Sequence, residues 1–135
     1  MTESILIVDD NPLNLKLATE VLAYEGYSVQ GAGDAEQAQR MLLEHVPDLI
    51  LMDIALPDMD GLALTRKLKA DARFQRIPVV ALTAFAMKGD EQKAFDAGCD
   101  GYITKPIDTR NLSKLVARYL SQGARPQSVT DRHDP

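Results

Sequence analysis

The sequence contains no tryptophan, a single cysteine and few other aromatic residues, three Phe and four Tyr among 135 positions. Each shortage excludes something. So few rings offer no platform on which nucleic-acid bases could stack in succession. Cys99 has no second cysteine with which to form an intrachain disulfide, so the fold must be held by its core, as in chains of reducing compartments. No apolar run approaches the roughly 18 residues that a membrane-spanning helix requires. The N-terminal MTESILIVDD lacks the basic flank and long apolar stretch of a secretory leader. Positive charge is also scarce, with 15 Lys and Arg against 20 Asp and Glu and a net charge of −5. Recognition of DNA through its phosphates calls for a basic face, and no helical segment carries a Lys/Arg stripe. These absences point to a cytoplasmic protein without membrane insertion or direct nucleic-acid binding. Its partners would be proteins, small ions or both.

What is present is globular: 45% hydrophobic and 26% charged residues, at a length that suits one domain. Five apolar runs have strand length: Ser4–Val8, Tyr27–Gln30, Leu49–Met52, Val79–Leu82 and Gly101–Thr104. The first, third and fourth are continuous and rich in Ile, Val and Leu, as strands are when both faces are covered. The second and fifth are more polar, as edge strands tend to be. Helical patterns alternate with them. Pro12–Tyr24 follows Asn11, a good N-cap before an N1 proline, and places Leu13, Leu17, Val21 and Leu22 on one inward stripe. Asp34 caps a second helix with Ala38, Met41 and Leu42 inward. Leu62–Ala70, Glu91–Ala97 and Thr109–Leu120 complete the series. Five β-α units at this spacing argue for an α/β parallel sheet with helices on both faces. Residues 1–120 read as one domain, and 121–135, without an apolar pattern, as a disordered tail or the start of a linker.

In open α/β sheets ligands bind beyond the carboxyl ends of the strands. The first strand is followed by Asp9 and Asp10, the third by Asp53, the fourth by Thr83 and Ala84, and the fifth by Lys105 and Pro106. If the first and third strands are neighbours, three carboxylates converge. Two unit charges about 4 Å apart repel by roughly 4 kcal/mol at an effective dielectric near 20. One lysine does not balance three acids, whereas Mg²⁺, which takes carboxylate oxygens and shares phosphates, does. Asp53 would then be a nucleophile toward phosphorus. Thr83 would hydrogen-bond a phosphoryl oxygen and Lys105 would supply the second positive charge. Asp58, Asp60 and Gly61 are assigned to turn and capping, Cys99 to an inert small residue, and His45 and His133 to structural or solvated positions. Ala84–Met87 suits either core or an apolar docking surface.

These residues carry a resemblance. VDDN (8–11), LMDIALPDMDG (51–61), ALTA (81–84) and YITKP (102–106) are similar, in order and spacing, to the receiver domain of bacterial two-component response regulators. The resemblance implies a doubly wound, flavodoxin-like sheet of five parallel strands in the order 2-1-3-4-5. It implies phosphorylation of Asp53 by a histidine kinase or histidine phosphotransfer protein. Mg²⁺ would be held by Asp9, Asp10, Asp53 and the Ala55 carbonyl. Thr83 and Lys105 would bind the phosphoryl oxygens, and Tyr102 would be an aromatic switch. The bond before Pro106 would be cis. Ala55 and Phe85 would line the approach of hydrolytic water. Such a domain switches the surface of its fourth helix, fifth strand and fifth helix, as a monomer or a phosphorylation-dependent dimer. It is not an enzyme, beyond assisting its own phosphorylation and dephosphorylation.

Three other readings compete. A phosphatase of the haloacid dehalogenase type would need an acid two residues after the nucleophile, where this chain has Ala55. A flavin-binding site would need a Gly/Ser/Thr loop after the first strand, where it has Asp9-Asp10. A module that signals by binding alone, without phosphorylation, is the third.

Overall fold

The computed structural model describes residues 2–83, 89–105 and 108–123. In chain order the elements are β1 (Ser4–Val8), α1 (Pro12–Tyr24), β2 (Ser28–Ala32), α2 (Ala35–Glu44), β3 (Leu49–Asp53), α3 (Gly61–Lys69), β4 (Val79–Thr83), α4 (Asp90–Asp96), β5 (Gly101–Thr104) and α5 (Thr109–Gly123). The strands form one sheet in the order β2-β1-β3-β4-β5, and each pairing is parallel. The doubly wound α/β sheet expected from the sequence is therefore present, with β2 and β5 at its edges.

Strand side chains alternate between two cores. Leu6, Val8, Ile50 and Met52 point to one face and meet α2, α3 and α4. Ile5, Ile7, Leu49 and Leu51 point to the other and meet α1 and α5. All five residues of β3 are buried, as are all five of β4. Burying one such aliphatic side chain stabilises the fold by about 1.5–3 kcal/mol. The continuous apolar runs are thus explained by burial on both faces.

Helix boundaries follow their caps. The Asn11 side chain accepts hydrogen bonds from the backbone N–H groups of Leu13 (2.9 Å) and Asn14 (3.2 Å) and starts α1. Asp34 accepts from Gln37 N–H and starts α2, and Asp60 accepts from Leu62 N–H and starts α3. Helix α5 runs three residues beyond the apolar pattern read from sequence, to Gly123.

Of the inward stripe expected for α1, Val21 and Leu22 face the core and Leu13 and Leu17 do not. Leu13 and Leu17 are exposed, at 64% and 42%. The buried residues are Ala18 and Leu22, with Leu15 and Val21 packed partly against the same core. Two apolar stripes satisfy helical spacing on this helix. The inner one is selected by the sheet: Leu15 lies so close to Gly31 of β2 that a Cβ there would meet its Cδ1 at 2.9 Å.

Candidate functional site

Parallel pairing of β1 with β3 sets Val8 beside Met52, so the residues that follow them emerge at one edge of the sheet. Asp9, Asp10 and Asp53 each offer a carboxylate oxygen, and these oxygens lie within 4.8 Å of one another. Asp9 and Asp53 are buried and Asp10 is exposed. Local backbone holds the buried pair. Asn11 N–H donates to Asp9 Oδ1 at 2.9 Å, and Ala55 N–H donates to Asp53 Oδ1 at 3.0 Å.

Lys105 follows β5 and reaches back across the edge. Its Nζ donates to Asp53 Oδ2 at 3.0 Å and stands 3.0 Å from Asp9 Oδ2. The second approach is an ion pair off the hydrogen-bonding direction, so that buried Asp9 oxygen has a charge beside it but no directed donor. Backbone fixes the start of the lysine as well, since Lys105 N–H donates to the Thr83 carbonyl. Thr83 itself is buried at the end of β4.

The electrostatics show an excess of negative charge. Burial pushes the Asp9 carboxyl above the usual carboxylate range, and the bond from Asn11 and the Lys105 ammonium only partly offset this. Burial also works against the charged form of Lys105, but Asp9 and Asp53 outweigh it and its pKa is raised. One ammonium faces three carboxylates.

Beside this cluster is an open hollow of about 510 Å³, lined by Asp10, Asn11, Pro12, Asn14, Asp53, Ala55 and Lys105. Three hard oxygen donors, one of them buried without a hydrogen bond, next to open space are a donor set that fits Mg²⁺. The β3–α3 loop contributes Ala55 to the lining and passes close to its own start at Gly61. A Cβ on Gly61 would collide with the Asp53 carbonyl and with Ile54 Cα, so only glycine fits there.

The structure therefore brings together Asp9, Asp10, Asp53 and Lys105 at one strand edge, with Ala55 on the wall and Thr83 at the end of the adjoining strand. Tyr102 is half-buried on β5, packed against the core shared with α2, α3 and α4. Pro106, Ala84 and Phe85 lie outside the described residues.

Sequence reasoning missed two polar devices. Asp58, assigned to turn and capping, caps a distant helix: it accepts hydrogen bonds from Ala35 N–H (2.9 Å) and Glu36 N–H (3.0 Å) at the start of α2. Lys69, at the end of α3, donates to the Ile77 carbonyl (2.7 Å) and to Asp100 (3.0 Å) at the opposite edge of the sheet. Neither leaves a local signal, because each joins segments more than one element apart or across a loop.

Comparisons with known proteins agree with this geometry. The response regulator receiver domain family matches residues 5–117. The polar-differentiation response regulator DivK of Brucella ovis is 45% identical over 120 residues, spanning 89% of this chain and 98% of that protein. Among solved structures, the receiver domain of a signal transduction histidine kinase from Syntrophus aciditrophicus is similar at a TM-score of 0.83 and 35% identity, covering 94% of this chain and 96% of that one. The receiver domain of a sensor histidine kinase from Pseudomonas aeruginosa, with a magnesium ion in its active-site cleft, is similar at 0.81 and 36% identity, covering 90% and 99%. The chain belongs to the response regulator receiver domains of two-component systems, close to DivK.

Proposed function

We propose that this domain is a phosphorylation-controlled switch whose phosphoacceptor is Asp53. The observation that carries the reading is the setting of that carboxylate. It is buried, held by Ala55 N–H on one oxygen and Lys105 on the other, and it opens onto a hollow beside two further acids. A carboxylate oxygen of Asp53 attacks phosphorus of a phosphohistidine. The new O–P bond forms as the P–N bond breaks, and the electron pair leaves with the donor's imidazole. Asp9, Asp10, Asp53 and the Ala55 carbonyl are the groups that would hold Mg²⁺, which supplies charge neutralisation at the phosphoryl oxygens when bound.

Lys105 keeps its charge and follows the phosphoryl group once Asp53 has reacted. Thr83 donates its hydroxyl to another phosphoryl oxygen. This draws the end of β4 inward, and Tyr102 responds on the neighbouring strand. The surface of α4, β5 and α5 then has two states, biased by the contacts to Thr83 and Lys105.

The phosphodonor is a histidine kinase or histidine phosphotransfer protein, met in the cytoplasm. Exposed Leu13 and Leu17 support its docking on α1, since Pro12 and Asn14 of the same helix line the hollow. No acid stands two residues beyond Asp53 to turn the site into a phosphatase; that position is Ala55. The domain therefore acts on its own phosphoryl group and not on a succession of substrates.

Intact-mass measurement after treatment with acetyl phosphate and Mg²⁺, with and without EDTA, tests the reading. Wild type gains one phosphoryl group only when Mg²⁺ is free, and Asp53→Asn gains none. Equal uptake by Asp53→Asn removes Asp53 as the nucleophile.

A further inference from the structure

The β3–α3 loop carries Ala55 and Asp58 three residues apart, and the two face different tasks. Ala55 lines the hollow. Asp58 leaves its own loop and places both carboxylate oxygens on the first turn of α2, 2.9 Å from Ala35 N and 3.0 Å from Glu36 N. Asp34 already takes Gln37 N–H, so two carboxylates from separate segments satisfy three successive donors of this helix start. The Ala35 N–H, ahead of the other causes, holds the Asp58 carboxyl below the usual range and keeps it ionised. A carboxylate at a helix N-terminus also meets the positive end of the helix dipole.

Among the described residues, the other polar bonds that tie the loop to its surroundings lie near its ends. Ile54 N–H donates to the Leu82 carbonyl, Gly61 N–H donates to the Ile54 carbonyl, and Asp60 caps α3. Leu56 and Met59 add apolar contacts to the core. Among the described residues, the hydrogen bonds that Asp58 accepts are the polar link from the middle of the loop to an element beyond β3 and α3.

We propose that Asp58 is a positioning residue. By clamping the β3–α3 loop to the N-terminus of α2, it fixes where the Ala55 carbonyl stands toward the metal and couples occupancy of the site to α2. The inference rests on the metal-binding reading of Asp9, Asp10 and Asp53. Losing a group that orients a metal ligand weakens binding by about tenfold or more. Calorimetric titration with Mg²⁺ should therefore show Asp58→Ala binding about tenfold more weakly than wild type, with Asp58→Asn, which keeps one acceptor, in between. In wild type, Mg²⁺ should also shift the backbone amide resonances of Ala35 and Glu36.

The outcomes separate cleanly. If Asp58→Ala loses thermal stability but binds Mg²⁺ as tightly as wild type, the residue is only a helix cap and the inference falls, while the metal site stands. If wild type binds no Mg²⁺, the metal reading falls and the inference with it. If Asp58→Ala does not fold, the wild-type resonances decide: unmoved Ala35 and Glu36 amides on saturation with Mg²⁺ overturn the coupling.

Discussion

The two edges of the sheet use the same residue types to opposite ends. At the edge before β4 and β5, Lys69 meets Asp100 and two backbone carbonyls, of Gln75 and Ile77, and Asp100 in turn accepts from Val79 N–H. Charges balance one to one, and every named group has a directed partner. At the edge beyond β1 and β3, Lys105 meets two buried aspartates, a third stands nearby, and one buried oxygen lacks a directed donor. A lysine–aspartate pair is structural where it is saturated. Where acids exceed cations beside open space, the imbalance remains for a ligand to correct, and that is what makes this edge the candidate site.

The strongest way to break this comparison is to neutralise one aspartate at each edge. Asp53→Asn should reduce phosphoryl uptake from acetyl phosphate to nothing detectable by intact mass. Asp100→Asn should take up phosphate as wild type does and show its effect in the urea unfolding midpoint.

Removing the lysines comes next. Lys69→Met strips donors from two carbonyls and a carboxylate, and should cost about 2 kcal/mol of stability in urea unfolding with Mg²⁺ affinity unchanged. Lys105→Met leaves Asp9 and Asp53 without their ammonium. It should bind Mg²⁺ about tenfold more tightly, a gain of roughly 1.4 kcal/mol, because the cation no longer competes with a positive charge. Its α4–β5–α5 surface should nevertheless fail to respond to phosphorylation, as read by amide resonances with and without acetyl phosphate. A normal response would take Lys105 out of the switch.

A smaller effect belongs to the exposed stripe of α1. Leu13→Ser with Leu17→Ser should slow transfer from a protein phosphodonor by about tenfold, the size of losing roughly 1.4 kcal/mol of contact. Uptake from acetyl phosphate, which needs no docking surface, should be unchanged. Equal slowing with both donors would place the defect in the site instead.

The smallest effect lies outside both edges. Arg73 holds the Asp71 carboxyl down, to about 2 from 3.8. A carboxyl whose folded pKa is depressed stabilises the fold above its unfolded pKa and loses that contribution as pH falls through the folded one. Wild type and Asp71→Asn should therefore differ slightly in urea midpoint above pH 3.8 and converge as pH falls toward about 2. As an exposed pair it should move the midpoint little.

Much of this was legible in the sequence, and the exceptions share a cause. Strands announced themselves because burial on both faces forces continuous apolar runs, as in Leu49–Met52. The acids emerged because each stands at the carboxyl end of a strand or within two residues beyond it. The inner face of α1 emerged only in part, through Val21 and Leu22, because Leu13 and Leu17 match helical spacing as well as Leu15 and Ala18 do. The residue that breaks the tie, Gly31, is on another element. Asp58 and Lys69 were opaque for the same reason: their partners are set by tertiary proximity, 23 and 31 positions away for Ala35 and Asp100. Chain-local patterns report what a residue does for its own element, and these residues serve a different one.

The placement of Asp53 on β3 has a consequence in time as well as in space. β3 is central in the sheet, paired on both sides and buried along its whole length. Amide protons in such a strand exchange with solvent only through openings near the full unfolding free energy. The proposed phosphoacceptor would therefore ride on a strand that opens rarely, and its chemistry would occur on an anvil. Motion that reports it must arise in the loops and helices around β3, on timescales the strand itself does not visit. Hydrogen exchange before and after phosphorylation should leave Ile50–Met52 unaltered while its neighbours change.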